Sequence, residues 1–193
     1  IGSITGKYQH FHEWKRITEE EDGIVALDRI IIGVCQKERF IDIFENFILF
    51  DESLGKIVKL IARNHQFIGV NKAINNIKQK QNQFKGGHIS FEELQKLGVF
   101  WHTQGSGKSF SMIFFTRKIF RQFTGNYTFL IVTDREDLDG QIYRNFLGAG
   151  AFSKDTKCQP GNSEDLRNML QTNTRYIFTL IQKFRYDKGK QYP

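Results

Sequence analysis

One short run constrains the fold of this chain more than any other feature, the sequence G-S-G-K-S at positions 105–109. An apolar stretch, 99–101, precedes it, and an apolar-rich segment, 110–123, follows it. A strand, a glycine-rich loop and a helix in this order form a phosphate site. Glycines let backbone N–H groups approach the phosphates, and the helix dipole favours negative charge. We therefore predict a strand at 99–101 and a helix from Ser109 to about Phe123, with a phosphate-binding loop between them.

Two side chains of this loop suit a nucleotide. Lys108 would contact the β- and γ-phosphates, and the hydroxyl of Ser109 would bind Mg²⁺. The usual pattern is G-x-x-x-x-G-K-[ST], and His102 stands where that pattern has its first glycine. The alternative is a glycine-rich turn with a solvated lysine. That alternative does not explain why a Lys-Ser pair opens a helix directly after two glycines.

The composition is that of a soluble globular chain, with 39% hydrophobic and 25% charged residues among 193. The formal net charge of +7 favours an anionic partner such as nucleic acid, although basic residues spread along a chain also describe an ordinary solvated surface. Cys35 and Cys158 show neither metal-ligand spacing nor a disulfide framework, which fits a reducing cytoplasm. No run has the length of a membrane span. Because the chain starts with Ile1 and ends at Pro193, we expect a piece of a longer protein.

Hydrophobic spacing along the rest of the chain predicts an α/β fold. The predicted helices cover 24–34, 38–44, 65–80, one turn after Ser90, 138–146 and 163–171. The predicted strands cover 47–50, 127–133 and 176–181, with a turn at 51–55 and an exposed loop at 78–87. The run 127–133 is apolar and β-branched throughout, as in a strand that is buried on both faces of a parallel sheet. From residue 99 onward, strands and helices alternate as in a doubly wound α/β domain.

Three polar segments are each predicted to follow a strand: the phosphate loop, 133–135 and 179–183. Ligands of parallel sheets bind at the carboxyl ends of the strands. We therefore expect these three segments to share one rim, and an antiparallel strand among them would contradict this expectation.

Several stretches, in order along the chain, resemble segments of the restriction (R) subunit of type I restriction–modification enzymes, which carries a superfamily 2 helicase-like motor. Residues 98–109, G-V-F-W-H-T-Q-G-S-G-K-S, are similar to motif I of that family nearly residue for residue and include His102. Residues 37–43 together with 46–50 resemble the segment leading into the motor, and residues 62–67 resemble the adenine-side R-x-H-Q motif. Residues 132–141 resemble motif Ia, and residues 178–184 resemble the segment before motif II. One departure is Leu180, where the family more often has a second threonine.

The resemblance implies a P-loop NTPase fold, with a RecA-like parallel sheet and flanking helices preceded by a small, mostly helical appendage. Residues 1–55 would form a linker or helical region between nuclease and motor. Residues 56–193 would form the N-terminal part of the first RecA-like, helicase-like ATPase domain, so that the first motor lobe is incomplete.

The resemblance also implies what the whole protein does: translocation on double-stranded DNA that requires ATP and Mg²⁺ and is coupled to endonucleolytic cleavage of unmethylated foreign DNA. The implied partners are the methyltransferase (M) and specificity (S) subunits, and the implied location is the bacterial cytoplasm, without a membrane. Nuclease carboxylates, an acidic motif II and a second RecA-like lobe are not found in these 193 residues. We therefore expect this chain alone neither to hydrolyse ATP at a motor's rate nor to cleave DNA.

Site residues follow from the same resemblance. The implied nucleotide contacts are Gln66, Thr103, Gln104, Gly105, Ser106, Gly107, Lys108 and Ser109. Of these residues, Lys108 and Ser109 would be catalytic, and Ser109 would bind Mg²⁺. Gln66 would read the adenine edge because an amide both donates and accepts, the alternative being an amide on a helix surface. The implied contacts to the DNA backbone, which carry little sequence information as a translocating motor requires, are Arg135, Gln141, Thr179, Gln182 and Lys183. For Arg135 and Lys183 the alternative is a solvated charge.

Three other classes of protein fit parts of this pattern. Another superfamily 2 helicase or translocase shares the loop but not the His-Thr-Gln lead-in at 102–104. A nucleotide-binding regulatory or kinase-like P-loop protein would act without DNA, and the basic charge argues against it. An inert scaffold with a vestigial loop would tolerate the loss of Lys108 in the full-length protein.

Overall fold

The computed structural model describes residues 1–3, 7–8, 11–52 and 55–184. Its helices are α1 (Leu27–Ile30), which continues as a π-helical turn (Ile31–Cys35), α2 (Lys37–Asn46), α3 (Asn64–Lys85), α4 (Phe91–Gln95), α5 (Lys108–Gln122), α6 (Glu136–Gly148) and α7 (Ser163–Gln171). Its strands are β1 (Ile48–Asp51), β2 (Val58–Ile61), β3 (Phe129–Thr133) and β4 (Tyr176–Leu180), the last followed by a 3₁₀ turn (Ile181–Phe184). Residues 53–54 of the predicted turn and 185–193 of the predicted ATPase domain lie outside the described residues. None of the helices in the described ranges is long and apolar enough to cross a membrane.

The four strands in the described part of the chain form two small sheets. β3 and β4 are parallel, with Phe129 opposite Tyr176 and Thr133 opposite Leu180. Because parallel strands end at the same edge, the segments that follow β3 and β4 share one edge, as predicted for two of the three polar segments. β1 and β2 form an antiparallel hairpin that joins residues on both sides of position 55, where the two predicted regions meet.

The predicted strand at 99–101 is not formed among the described residues. Val99 is 94% exposed and Trp101 is 78% exposed. The ring of Phe100 lies instead on α3 at Gly69, where a Cβ would come within 2.6 Å of it. An apolar run gives a segment the composition of a strand, but a strand also needs a hydrogen-bonded neighbour. The parallel sheet therefore has two strands in the described part of the chain, and a full RecA-like sheet is not confirmed.

Helix α3 is longer than predicted and replaces the exposed loop at 78–87 as far as Lys85. This segment has no proline and no glycine before Gly86, and its lysines and glutamines are good helix formers. Lys80 also donates to the carbonyl of Glu93 in α4 at 2.8 Å, which ties the last turns of α3 to the next helix. The sequence predicts neither a helix nor a strand directly before α3, yet this segment forms β2. Its strand conformation depends on pairing with β1 rather than on local spacing.

Strand β3 is exposed on one face, although its sequence predicts burial on both. Leu130 and Val132 point to the exposed face, whereas Phe129, Ile131 and Thr133 are at least half-buried. A continuous apolar run therefore identifies a strand but does not show how many layers cover it.

The N-terminal segment packs on α3 through Asn64. The side-chain oxygen of Asn64 accepts from the amide of Arg16 at 3.0 Å, and its Nδ2 donates to the carbonyl of Arg16 at 2.8 Å. The buried ring of Trp14 lies 5.4 Å from that of Phe67, measured between centroids. Residues of the predicted linker therefore share one hydrophobic core with α3 and α5.

A buried ion pair joins three helices. Lys118 in α5 donates to Asp42 in α2 and to Asn71 in α3, each at 2.5 Å. Asn46 and Asn71 donate to the carboxylate of Asp42 at 2.8 and 3.0 Å. The side chain of Lys118 is 4% exposed, and its Nζ lies 5.1 Å from the centroid of the Phe47 ring. Burial lowers the pKa of Lys118, and the hydrogen bond to Asp42 opposes this shift.

Candidate nucleotide-binding site

The G-S-G-K-S run forms a tight loop that leads directly into α5, as predicted. Gly105 and Gly107 have φ angles of 78° and 82°, in the left-handed region that glycine adopts more readily than other residues. A Cβ on Gly107 would also lie 2.8 Å from Nε2 of Gln66. The loop therefore requires Gly105 for its conformation, and Gly107 both for its conformation and for the close approach of α3.

The backbone amides of this loop are available to an anion. In the described part of the chain, four of them donate to no protein acceptor: those of Gly105, Gly107, Lys108 and Ser109. The first amides of a helix have no partner within the helix, and α5 adds the positive end of its dipole to them. The buried hydroxyl of Ser106 also has no hydrogen-bond partner among the described residues. Amides, dipole and hydroxyl together fit the phosphates of a nucleotide.

Lys108 and Ser109 form the first turn of α5. The exposed Nζ of Lys108 donates to the carbonyls of His102 and Thr103 at 2.8 and 3.0 Å. A phosphate would replace these neutral acceptors with charged ones, which make stronger hydrogen bonds. Ser109 is half-buried and offers the hydroxyl that the motif supplies to Mg²⁺, an ion held mainly by waters, phosphate oxygens and one or two protein groups. Thr103 and Gln104 are exposed just before the loop.

Gln66 lies beside the loop, in the first turn of α3. Its Nε2 donates to the carbonyl of Gly107 at 2.9 Å, and its Oε1 accepts from the amide of Arg63 at 2.8 Å, a bond that caps the helix. The side chain is 4% exposed. A primary amide has two N–H groups and two lone pairs, so these two bonds leave one of each unused, and an adenine edge could reach them only after a rearrangement. The structure brings Gln66 to the loop, while the adenine contact stays a prediction.

Two histidines that the sequence reasoning left without a role also lie at the loop. His65 Nε2 lies 3.0 Å from the carbonyl oxygen of Ser106, and the rings of His65 and His102 meet edge to face, with centroids 4.7 Å apart. The His102 ring also packs on Phe100, with centroids 4.4 Å apart. Burial lowers the pKa of His102, and His65 and Lys108 lower it further, so the neutral imidazole is favoured at neutral pH. Both histidines belong to stretches that resemble family motifs, and this is the signal that could have identified them.

Three of the residues predicted to contact the DNA backbone, Arg135, Gln141 and Gln182, are exposed. Arg135 is the residue before the first turn of α6, whereas Gln141 lies near the middle of that helix. Gln182 follows β4 and donates from Nε2 to the carbonyl of Asp134 at 3.1 Å. This bond joins the two strand ends, so Arg135 and Gln182 lie at the same edge of the sheet.

The other two predicted DNA residues are less accessible. Thr179 is 1% exposed, so a DNA phosphate could contact its hydroxyl only after a rearrangement. Lys183 is half-buried and donates from Nζ to the carbonyl of Pro160. DNA contacts of all five residues therefore remain predictions.

A buried carboxylate, also missed from the sequence, fixes this edge of the sheet. Asp139 in α6 accepts from the hydroxyl of Thr133 at 3.2 Å and from the side-chain amide of Gln159 at 2.8 Å. The carbonyl of the neighbouring Cys158 accepts from the amide of Phe178 in β4 at 2.8 Å. Asp139 therefore ties α6 to the end of β3 and to the segment beside β4. It lies in the stretch that resembles motif Ia, but its spacing gave no sign of burial.

Replacing Asp139 with alanine is expected to loosen this edge by about 1–3 kcal/mol, because the buried hydroxyl of Thr133 loses its acceptor. Hydrogen–deuterium exchange of the full-length protein would report the change as faster exchange in β3 and in the first turns of α6. Exchange in α4 should stay as in the wild type and serves as the internal control. Unchanged exchange in β3 would show that Asp139 does not hold the edge.

Comparison with known proteins identifies the family of this chain. A model of the SWI2/SNF2 ATPase family matches residues 65–193. The type I restriction enzyme HindI endonuclease subunit of Haemophilus influenzae is 36% identical over 193 residues, covering 95% of this chain and 18% of that protein. A putative type I restriction enzyme MjaIXP endonuclease subunit of Methanocaldococcus jannaschii is 30% identical over 214 residues, covering 100% of this chain and 19% of that protein. The chain therefore spans less than a fifth of the length of these relatives.

The segment matched by the family model contains the elements that form the candidate nucleotide site. It begins at His65 and includes the phosphate loop, α5 and both parallel strands. The chain belongs to the SWI2/SNF2 ATPase family, and its curated homologues are endonuclease subunits of type I restriction enzymes.

Proposed function

We propose that this chain carries the ATP-binding part of the motor in a type I restriction endonuclease subunit. The full-length protein would use ATP to translocate double-stranded DNA and to cleave unmethylated foreign DNA, together with M and S subunits in the cytoplasm. The observation that carries the proposal is the loop at 105–109, whose amides lie unpaired at the start of α5 beside a Lys-Ser pair. The restriction part of the proposal is supported by the relatives, which are type I restriction enzyme endonuclease subunits.

The residues divide the work of phosphoryl transfer, which depends mainly on positioning and on stabilising charge. The loop amides hold the phosphates. The Nζ of Lys108 exchanges its bonds to the carbonyls of His102 and Thr103 for bonds to the phosphate oxygens. Ser109 would hold Mg²⁺ through its hydroxyl, and the ion would neutralise phosphate charge. Gln66 offers its remaining donor and acceptor to the adenine edge.

We place residues 1–55 in a linker between nuclease and motor, and 56–193 in the N-terminal part of the first RecA-like ATPase domain. A motor ATPase also needs an acidic motif and arginines from a second lobe, neither of which occurs in these 193 residues. This chain alone would therefore bind nucleotide without turning it over at a motor's rate, and would not cut DNA.

A second candidate is another superfamily 2 DNA helicase or translocase. The observation that favours it is that the matching family model is named for SWI2/SNF2 ATPases rather than for restriction enzymes. The two candidates differ in one product: only the restriction subunit, with its partners, yields cleaved unmethylated DNA while sparing methylated DNA of the same sequence.

The test is ATP turnover by the full-length protein with and without double-stranded DNA, over a range of salt concentrations. Turnover should depend on DNA. A plot of the logarithm of DNA affinity against the logarithm of salt concentration should have a slope of about −0.9 per phosphate contact. Replacing the exposed Arg135 with alanine should weaken binding to all sequences alike and lower that slope by about 1. The exposed Lys85 at the end of α3 provides a matched control, Lys85→Ala. Turnover that is indifferent to DNA would instead indicate a regulatory or kinase-like protein.

A further inference from the structure

The first turn of α3 contacts two successive carbonyls of the phosphate loop. His65 Nε2 lies 3.0 Å from the oxygen of Ser106, and Gln66 Nε2 lies 2.9 Å from the oxygen of Gly107. A carbonyl oxygen can only accept, so the Nε2 atom of His65 carries the proton and donates it. Adjacent residues of one helix therefore hold adjacent peptide groups of the loop.

These two bonds also fix where the following amides point. In a trans peptide group the C=O and the next N–H point in opposite directions, and none of the described peptide bonds is cis. Directing the Ser106 carbonyl towards α3 turns the amide of Gly107 away from α3. The Gly107 carbonyl does the same for the amide of Lys108. Both amides are among the four in the loop that donate to no acceptor in the described chain.

The His65 ring is held in place by a second histidine. His102 meets it edge to face at 4.7 Å and packs on its other side against Phe100, whose ring rests on Gly69 of α3. The lowered pKa of His102 favours its neutral form at neutral pH, in which the ring does not repel Lys108. In this packing, Nε2 of the His65 ring faces the loop.

We propose that His65 is a positioning residue of the phosphate site, because its bond to the Ser106 carbonyl sets the direction in which the Gly107 amide points. This inference rests on the proposed nucleotide-binding function and adds to it a residue that acts through the backbone. Such a residue affects the affinity for phosphates and not the affinity for the adenine part of the ligand.

The experiment measures binding of Mg·ADP and of magnesium pyrophosphate to the full-length protein by calorimetry. His65→Phe keeps a ring against His102 but removes the donor, and His65→Gln restores a donor at similar reach. We expect His65→Phe to raise the Kd of both ligands by the same factor, about 3- to 10-fold, and His65→Gln to stay within about 2-fold of the wild type. The matched control is His88→Phe, at an exposed histidine beyond the other end of α3, which should leave both Kd values unchanged.

The outcomes separate this inference from the function on which it rests. If the wild type binds neither ligand, the proposed nucleotide site itself is wrong, and no phosphate remains for His65 to position. If the wild type binds both and His65→Phe binds them equally well, only the role of His65 is overturned. A loss for ADP without a loss for pyrophosphate would place His65 at the adenosine part and overturn it as well. If His65→Phe unfolds, His65→Gln decides, and a folded His65→Gln variant with weakened binding counts against the proposal.

Discussion

Replacing Lys108 with alanine is expected to lower ATP turnover of the full-length protein by about 10²- to 10³-fold. Lys108 supplies the charged side chain of the loop, and its Nζ donates to two main-chain carbonyls that a phosphate can displace. Negative charge on the transferred phosphoryl group is stabilised mainly by such preorganised groups, so its removal affects the transition state directly. Turnover at saturating DNA and Mg²⁺, measured over a range of ATP concentrations, gives kcat and KM separately.

Two controls show whether this loss belongs to the loop. Lys108→Arg keeps the positive charge but replaces a compact ammonium with a planar guanidinium, so it should remain impaired. Lys85→Ala removes an exposed lysine from α3 and should keep full turnover. Because Lys108 is exposed and bonded only to the loop's own lead-in among the described contacts, Lys108→Ala should change the free energy of unfolding by no more than about 0.5 kcal/mol. Full turnover in a folded Lys108→Ala variant would identify the chain as an inert scaffold with a vestigial loop.

Sequence patterns predicted helices and strands where the residues of one segment determine its conformation. Helix α5 begins within one residue of its predicted start, because the two glycines before Lys108 adopt left-handed conformations and the apolar residues after it follow helical spacing. The parallel pair of β3 and β4 is also where the apolar runs placed it. The run at 99–101 has the same composition but forms no strand among the described residues, because pairing is a property of two segments and not of one.

The site divides in the same way. One stretch of sequence was enough to place Lys108 and Ser109 at the start of α5 beside the loop, while their roles towards phosphate and Mg²⁺ stay predictions. Gln66 could be predicted to lie at the site only because it belongs to a stretch that resembles a family motif. The bond between His65 and Ser106 spans 41 positions, and no periodicity or spacing within one element reports such a contact. The burial of Asp139 depends likewise on Gln159, which lies 20 positions away on another segment.

Replacing Asp42 with alanine is expected to destabilise the packing of α2, α3 and α5 by about 3–5 kcal/mol. The substitution leaves the charge of Lys118 buried without its partner, and Asn46 and Asn71 lose the carboxylate that accepts from them. Since α5 carries Lys108 and α3 carries Gln66, loosening this contact should also weaken nucleotide binding. Hydrogen–deuterium exchange of the full-length protein in the three helices measures the loss.

A double variant tests whether the buried charge is the cause. Asp42→Leu combined with Lys118→Met removes both charges and fills their space with apolar groups, so it should recover at least half of the loss. Glu92→Ala breaks the exposed pair between Glu92 and Lys96 and should cost less than about 1 kcal/mol. A double variant that is no more stable than Asp42→Ala would show that lost packing, and not the unpaired charge, destabilises the protein.

The deficit of Asp42→Ala should also shrink as the pH rises. The ordinary pKa of a lysine side chain is 10.5; burial lowers that of Lys118 in the folded chain, and Asp42 opposes this shift. Without Asp42 the pKa of Lys118 in the folded chain falls further. Between this lowered pKa and 10.5, the unfolded chain binds more protons than the folded chain, so the stability of the variant rises with pH. The variant regains stability over this interval because Lys118 loses its proton while still buried, and the wild type, with a higher folded-state pKa, regains less. Opening free energies of α5 compared at neutral pH and at roughly pH 10 check this, and a deficit that stays constant or grows would mean that Lys118 is not the group responsible.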